Sequence, residues 1–213
     1  MDATSAIFYI VILVMSVVIH EVSHGFVAEY FGDKTARFAG RLTLNPIKHL
    51  DLFGSIILPA LLVLTSSPFL VGWAKPVPYN PNNLSNKKWG TIAVASAGVL
   101  ANFLIAILFG LFIRLAPFFG LPSYQAFSPH PFYQITSIIV ALNIMLAIFN
   151  LIPIPPLDGS KIFLNLLPRS FDQIINFIER YSLILIIVFI MFFSNLLYPV
   201  LEFIFHIITG LYI

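Results

Sequence analysis

The chain contains no cysteine and very little charge. Without cysteine it can form no disulfide and offers no thiolate as nucleophile or metal ligand, so a metal would have to be bound by histidine, aspartate or glutamate. Charged residues make up 9% of its 213 residues, against roughly 25% in a typical soluble domain. The net charge of +2 is too small to indicate a nucleic-acid partner. With 59% hydrophobic residues, the composition predicts an all-α polytopic protein embedded in a lipid bilayer, without a separate soluble domain.

The most informative pattern is His20-Glu21-Val22-Ser23-His24, at the end of an uncharged, mostly apolar run. Histidines four residues apart share one face of a helix, so both imidazoles can bind one zinc ion from the same side. Glu21 is not needed as a ligand and can accept a proton from zinc-bound water, the general-base role in zinc peptidases. The predicted helix, Ser5–Phe31, is about 40 Å long, enough to cross a hydrocarbon core of ~30 Å. The pattern therefore predicts a zinc site inside the membrane.

A catalytic zinc site usually has three protein ligands and one open position. Among the remaining acids, only Asp158 lies in a proline-rich break at the cytoplasmic end of a predicted span, on the side where the first helix also ends. Asp158 is therefore the predicted third ligand. Asn150, at the same break, could donate an amide N–H to an oxyanion. The alternative for Asn150 is an ordinary asparagine at a helix end or turn.

Proline, glycine and the cations divide the rest of the chain. Predicted membrane spans follow the first helix at Thr91–Leu115, Phe132–Ile152 and Ser182–Leu197, about four in total. Cations after the first helix place its end in the cytoplasm and the N-terminus outside. Leu50–Ser66 is predicted to re-enter the membrane without crossing it, because this keeps the flanking cations on one side. Val200–Ile213 is apolar but short, and could lie in the interface or dip into the membrane.

Two stretches predict other local structure. Lys34–Pro46 alternates loosely between polar and apolar residues, as a small β-hairpin would. Val71–Pro81 contains prolines that exclude a helix and favour extended backbone. Such a segment near the zinc site could pair with a substrate strand, although an ordinary proline-rich connector is the alternative.

Asn102 is a polar exception within the second span. A hydrogen bond to a neighbouring helix explains it more simply than a direct chemical role. Three further histidines lack ligand spacing and are interpreted as interfacial or structural: His49, His130 and His206.

Together, His20–His24 and the stretch Asn150–Gly159 (N-L-I-P-I-P-P-L-D-G) resemble the site-2 protease family of intramembrane zinc metalloproteases. Gly98 and the stretch Gly72–Pro78 look like its small bacterial branch, which has no PDZ domain. The resemblance runs from about Ile7 to Leu167. It implies one zinc ion per chain, bound by His20, His24 and Asp158, with Glu21 activating water and Asn150 near the substrate. Substrate contacts are predicted for residues of the extended segment and the second span: Gly72, Trp73, Ala74, Val77 and Asn102.

The resemblance also implies the activity. Members of the family cleave transmembrane helices of other proteins near the cytosolic side, which here predicts a multi-pass enzyme of a bacterial cell membrane. We expect one domain over residues 1–213, with a core at 5–167 and C-terminal helices at 178–213. Two alternatives stay open at this point. The polar cluster could serve a metal or proton transporter, or the chain could be an inactive scaffold that binds transmembrane helices.

Overall fold

A computed structural model describes residues 3–57, 61, 64–65, 74–121, 124 and 130–212. Within this part of the chain all regular structure is helical. Three helices are long and apolar enough to cross a membrane, with mean hydropathies of 2.0 to 2.4: Ile7–Tyr30, Lys87–Phe119 and Pro131–Asn150. They correspond to the first three predicted spans, which confirms a helical, multi-pass membrane protein.

The α-helices follow one another in this order: α1 (Ala3–Tyr30), α2 (Thr35–Phe38), α3 (Lys87–Leu115), α4 (Pro131–Asn150), α5 (Asp158–Leu164), α6 (Asp172–Arg180), α7 (Ser182–Val188) and α8 (Leu197–Thr209). Short 3-10 turns lie between or beside them at Pro46–His49, Pro81–Asn83, Ala116–Phe119, Arg169–Phe171 and Ser194–Leu196. Two wider, π-helical stretches occur at Leu52–Ile57 and Phe189–Phe193.

The central helix is α3, which contacts α1, α4, α5 and α8. Its buried positions include several small residues, which allow neighbouring helices to approach closely. The apolar core lies between α3, α4 and α8 and includes the fully buried Ala106, Val140 and Ile144. On its outer face, α3 exposes leucines such as Leu104, as expected for a helix surrounded by lipid.

The predicted fourth span, Ser182–Leu197, is helical but is not one regular α-helix. α7 continues into the π-helical stretch Phe189–Phe193, and α6 joins this element at a bend of 73°. Counting the bent pair as one broken span gives four spans in place of three within the described part of the chain. α8 is apolar but has only 13 residues, which is shorter than the ~20 residues a spanning helix needs.

The prediction of a β-hairpin over Lys34–Pro46 is wrong, because Thr35–Phe38 form a helical turn. Asp33 accepts hydrogen bonds from the backbone N–H and the hydroxyl of Thr35, an Asx-type turn that leads into the helical turn. The turn is anchored by the fully buried Ala36 and closed by a hydrogen bond from the N–H of Arg41 to its carbonyl. Local hydrogen bonds and burial therefore outweigh the weak alternation on which the hairpin prediction depends.

The two other irregular predictions have different outcomes. Of the stretch Leu50–Ser66, only residues 50–57, 61 and 64–65 are described, so whether it re-enters or crosses stays a prediction. Residues 74–80 lie outside any helix, as their prolines predicted. This segment is held by Glu21 of α1 and by Asp33 and Arg41, which flank α2, and is described with the site below.

The break after α4 brings the chain back toward α1. α4 ends at Asn150, and α5 begins at Asp158 after a proline-rich turn. Gly159 permits this turn, since a Cβ there would lie 2.2 Å from the carbonyl oxygen of Leu151, a contact no side chain tolerates. Asp158 consequently stands in the first turn of α5, buried and 7% exposed.

Candidate metal centre

His20 and His24 lie one turn apart on the inner face of α1. Their side chains are buried, and their ring centroids are 4.7 Å apart with the rings nearly perpendicular. Ser16 lies one turn earlier on the same face, because residues four apart stack on a helix. The predicted motif thus presents two imidazoles from one helix toward the interior of the protein.

Asp158 meets both imidazoles. Its Oδ2 lies 3.0 Å from Nε2 of His20 and 3.1 Å from Nε2 of His24. Ligand atoms around a tetrahedral zinc ion, with bonds of about 2.0–2.1 Å, are separated by roughly 3.3 Å. The structure therefore brings the three predicted ligands close enough together for one ion to contact all of them.

The opposite nitrogen of each imidazole faces an oxygen. Nδ1 of His24 lies 2.6 Å from the carbonyl oxygen of Val94, and Nδ1 of His20 lies 2.8 Å from Oδ1 of Asn102. A carbonyl oxygen accepts but cannot donate, so each Nδ1 carries the proton and each neutral ring presents a lone pair at Nε2. Two such lone pairs and a carboxylate converge at one buried point, which favours a bound cation. Two imidazoles and one carboxylate also form the donor set of a known class of catalytic zinc sites.

The charge state of Asp158 suits this role. Burial alone would raise the pKa of its carboxyl group, but hydrogen bonds from Nε2 of His20 and His24, which form when these nitrogens carry a proton, lower that pKa by more. Lys161 also lies near, with its Nζ 3.9 Å from the other carboxylate oxygen of Asp158. Asp158 is therefore ionised at neutral pH.

Gly98 on α3 gives the histidines their space. A Cβ at this position would lie 2.5 Å from Cε1 of His20 and 2.6 Å from Nε2 of both histidines. Gly98 stands between Val94 and Asn102 at spacings of four residues, so the three form one stripe on α3. This stripe faces the histidines of α1 along its whole length.

A cavity of about 130 Å³ opens onto the metal centre. Both predicted catalytic residues, Glu21 and Asn150, line it together with the three predicted ligands. Oε2 of Glu21 accepts a hydrogen bond of 2.9 Å from the backbone N–H of Val77. The side-chain amide of Asn150 donates to the carbonyl oxygen of Leu146 at 2.9 Å. A base, an amide and a donor set for a metal thus share one cavity.

The predicted substrate-binding residues are placed differently from one another. Val77 lines the cavity, whereas Ala74 is not one of the residues that line it. Asn102 is fully buried behind His20 and does not reach the cavity. Gly72 and Trp73 lie outside the described residues.

The extended segment around Val77 is held within the chain. The guanidinium of Arg41 donates to the carbonyl oxygens of Lys75 and Pro76, at 2.7 and 3.3 Å. The N–H of Lys75 donates to the carbonyl oxygen of His49 at 2.9 Å. Several of its backbone hydrogen-bonding groups are therefore already engaged, and the segment forms a fixed wall of the cavity.

The other three histidines make local contacts away from the cavity. Nε2 of His49 lies 2.9 Å from the carbonyl oxygen of Thr43. His130 caps α4 by accepting a hydrogen bond from the N–H of Phe132. The ring of His206 stacks on Tyr212 with centroids 4.1 Å apart. These contacts agree with the structural interpretation of all three.

Three residues near the centre were not identified from the sequence. Asn143 on α4 accepts a hydrogen bond of 3.1 Å from Nδ2 of Asn102 and donates one of 2.9 Å to Oγ of Ser16. Lys161 lines the cavity with its Nζ 5.4 Å from the centroid of the Tyr79 ring. The sequence does contain a feature that could have indicated each of them. Asn143 is polar in the middle of a span, Ser16 precedes His20 by four residues, and Lys161 follows Asp158 by three.

A sequence profile of peptidase family M50 matches residues 8–129 and 118–194. The chain belongs to peptidase family M50. YwhC of Bacillus subtilis (strain 168) is 37% identical to this M50 protein over 181 residues, which cover 85% of the chain and 78% of YwhC. Rip2 of Mycolicibacterium smegmatis (strain ATCC 700084 / mc(2)155) is 30% identical over 145 residues, covering 68% of the chain and 51% of Rip2. No solved structure matches at a significant level.

Both relatives are provisionally named zinc metalloproteases. Family membership confirms the resemblance to the site-2 proteases and the predicted enzyme class, and the names of the relatives agree with zinc as the cofactor. The transporter and scaffold alternatives are not favoured for an M50 chain. Together with the three apolar helices, membership also supports a lipid bilayer as its environment.

Proposed function

We propose that the chain is an intramembrane zinc endopeptidase that cleaves transmembrane segments of other membrane proteins near the cytoplasmic side. The observation that carries this proposal is the convergence of His20, His24 and Asp158 at one buried point, with Glu21 on the wall of the same cavity. Ionisable groups at such a position are costly in a membrane and are usually retained for function.

His20, His24 and Asp158 hold one zinc ion in this proposal. The ion supplies Lewis acidity, which polarises a peptide carbonyl and makes water a stronger acid. Glu21 accepts the proton of the attacking water and passes it to the leaving amine. Val77 holds one carboxylate oxygen of Glu21, which leaves the second oxygen for proton transfer. Asn150 donates an amide N–H to the carbonyl oxygen of the substrate.

The substrate must be locally unwound before this chemistry, because the hydrogen bonds of a helix shield its peptide groups. Contacts with Ala74 and Val77 remain predictions, and the wall formed by their segment is where an unwound strand would lie. Ala74→Pro is the cleaner test of strand pairing there, since Val77→Pro would also remove the hydrogen bond to Glu21. Unchanged cleavage by Ala74→Pro would count against pairing.

The proposed orientation follows from the cations. The cations between α1 and α3, together with the two in the first turn of α3, lie at the same end of the two helices: Lys34, Arg37, Arg41, Lys48, Lys75, Lys87 and Lys88. The positive-inside rule places this end in the cytoplasm and the N-terminus outside. Lys161 brings a further cation to the cavity itself, so we propose that water reaches the site from the cytoplasm. The matched relatives are bacterial, which supports a bacterial cell membrane, and we propose a single domain over residues 1–213.

The proposal is tested with purified wild type and Glu21→Gln. Zinc is measured in both by elemental analysis, and each is incubated with a model transmembrane substrate. We expect about one zinc per chain in both proteins and cleavage by wild type alone, because Glu21 contributes a proton acceptor and not a ligand. Cleavage by Glu21→Gln at the wild-type rate, or zinc-loaded wild type that cleaves none of the substrates, would contradict the proposal.

A further inference from the structure

A chain of buried hydrogen bonds continues from His20 into the interior of the helix bundle. Nδ1 of His20 faces Oδ1 of Asn102 at 2.8 Å, and Nδ2 of Asn102 donates to Oδ1 of Asn143 at 3.1 Å. Nδ2 of Asn143 donates to Oγ of Ser16 at 2.9 Å and to the carbonyl oxygen of Ile139 at 2.8 Å. We refer to Asn102, Asn143 and Ser16 as the relay. It starts at a histidine of α1, crosses α3 and α4, and returns to α1 one turn before that histidine.

Each member of the relay fixes the orientation of the one before it. A side-chain amide has an acceptor end and a donor end, and turning it by half a turn exchanges them. If Asn102 turned, its N–H would face the proton on Nδ1 of His20, and its oxygen would meet the oxygen of Asn143. Asn143 cannot turn without losing its bond to the carbonyl oxygen of Ile139, since a carbonyl oxygen only accepts. The carbonyl oxygen of Ile139 therefore determines, through two amides, which end of Asn102 faces His20.

The two histidines are supported in different ways. The acceptor for His24 is the backbone oxygen of Val94, which no side-chain substitution removes. The acceptor for His20 is a side chain that depends on a second side chain. Asn102 and Asn143 are both fully buried, and neither is among the residues that line the cavity, so contact with a substrate does not explain them. Buried amides in an apolar bundle are costly unless every hydrogen-bonding group has a partner.

We propose that Asn102 and Asn143 are positioning residues for the metal centre, which act through His20 by fixing its tautomer and ring orientation. The relay keeps the proton on Nδ1 of His20 and the lone pair on Nε2, facing Asp158. Partners of this kind typically contribute 10–100-fold to the metal affinity of the ligand that they support. This inference rests on the proposed zinc site and adds that the orientation of one ligand, His20, depends on Asn143 in the third span.

The test measures zinc affinity by competition with a chromogenic chelator, so it does not depend on cleavage. Asn102→Leu, Asn143→Leu and the double variant are compared with wild type. Thr136→Val is the matched control, because Thr136 lies two turns before Asn143 on the same face of α4, is also buried, and donates its hydroxyl proton to Phe132 of its own helix. Thermal unfolding of the zinc-free proteins reports any purely structural loss.

We expect Asn102→Leu to weaken zinc binding by about 10–100-fold and Asn143→Leu by a smaller factor, since it only frees Asn102 to turn. The double variant should bind no more weakly than Asn102→Leu, because Asn143 acts only through Asn102. Asn102→Asp restores an acceptor oxygen and should recover most of the affinity. Thr136→Val should bind as wild type does.

Three results would overturn the proposal. Asn102→Leu could bind zinc as tightly as wild type, the losses of the two single variants could add in the double variant, or Asn102→Asp could bind as weakly as Asn102→Leu. If one leucine variant does not fold, the other leucine variant and Asn102→Asp still decide, with a loss of zinc affinity expected for the leucine variant and near-wild-type affinity for Asn102→Asp. Absence of zinc from wild type itself would instead contradict the proposed function.

Discussion

Gly98→Ala tests the packing of α3 against the metal centre. The added methyl group would lie 2.5 Å from Cε1 of His20 and 2.6 Å from Nε2 of both His20 and His24. It would therefore contact the two nitrogens that are proposed to bind zinc. The helix itself tolerates alanine better than glycine, so any loss comes from this contact and not from helix propensity.

The size of the effect follows from these distances. Cβ atoms essentially never approach another heavy atom closer than 3.0 Å, so the rings would have to move by at least about 0.5 Å. Zinc–ligand distances tolerate only about 0.2 Å. We expect zinc affinity to fall by about 100-fold or more, the upper end of what loss of support for a ligand costs. Overpacking of this kind should also reduce the stability of the zinc-free protein by roughly 1–3 kcal/mol.

The assay is chelator competition together with thermal unfolding, and Gly110→Ala is the control. A Cβ at Gly110, on the same helix, would lie 2.1 Å from the side chain of Ile208, far from the histidines. We expect Gly110→Ala to lose stability and keep its zinc affinity, whereas Gly98→Ala loses both. Wild-type zinc affinity in Gly98→Ala would refute the reasoning, because the rings could not then occupy the positions described.

Two further predictions concern the turn before Asp158 and the buried Asp33, which follows α1. Gly159→Ala should lose zinc and unfold at a lower temperature, since its methyl group would meet the backbone oxygens of Leu151 and Ile152 at 2.2 and 2.6 Å, and elemental analysis with thermal unfolding tests this. Burial alone would raise the pKa of Asp33, but hydrogen bonds from Thr35, Asn83 and the N–H of Asn80 lower it below its ordinary value. Asp33 should therefore stabilise the fold at pH values above its unfolded pKa of about 3.9. The difference in unfolding free energy between wild type and Asp33→Asn should shrink as the pH falls below that value. A difference that stays unchanged down to pH 2 would contradict this.

The sequence predicted the parts of the site that depend on local geometry. His20 and His24 share a face because of helix periodicity alone, and the prolines before Asp158 made a break in the chain unavoidable. The prediction of Asp158 as the third ligand depends on a less local premise, that two helix ends on the same side of a membrane can meet. This worked because a bilayer restricts where the ends of spanning helices lie.

The contacts between helices, and the turn after α1, could be identified only from the packed structure. Nothing in the sequence indicates that Asn143 faces Asn102, because a single polar residue in a span can point toward any neighbouring helix. The simpler interpretation of Asn102, a hydrogen bond to another helix, agrees with the contacts found, but its histidine partner could not be named from spacing. The prediction of a hairpin over Lys34–Pro46 is wrong because hydrogen bonds from Thr35 to Asp33 and burial of Ala36 decide that turn, and neither produces a periodic pattern.

The central claim is that His20, His24 and Asp158 bind the zinc ion used in cleavage. The zinc K-edge X-ray absorption spectrum of purified Glu21→Gln tests it most directly, because this variant keeps all three ligands. We expect scattering from two imidazoles and only nitrogen or oxygen neighbours at about 2.0–2.1 Å, with loss of the zinc signal in Asp158→Ala. A spectrum without imidazole scattering, or one that Asp158→Ala leaves unchanged, would contradict it.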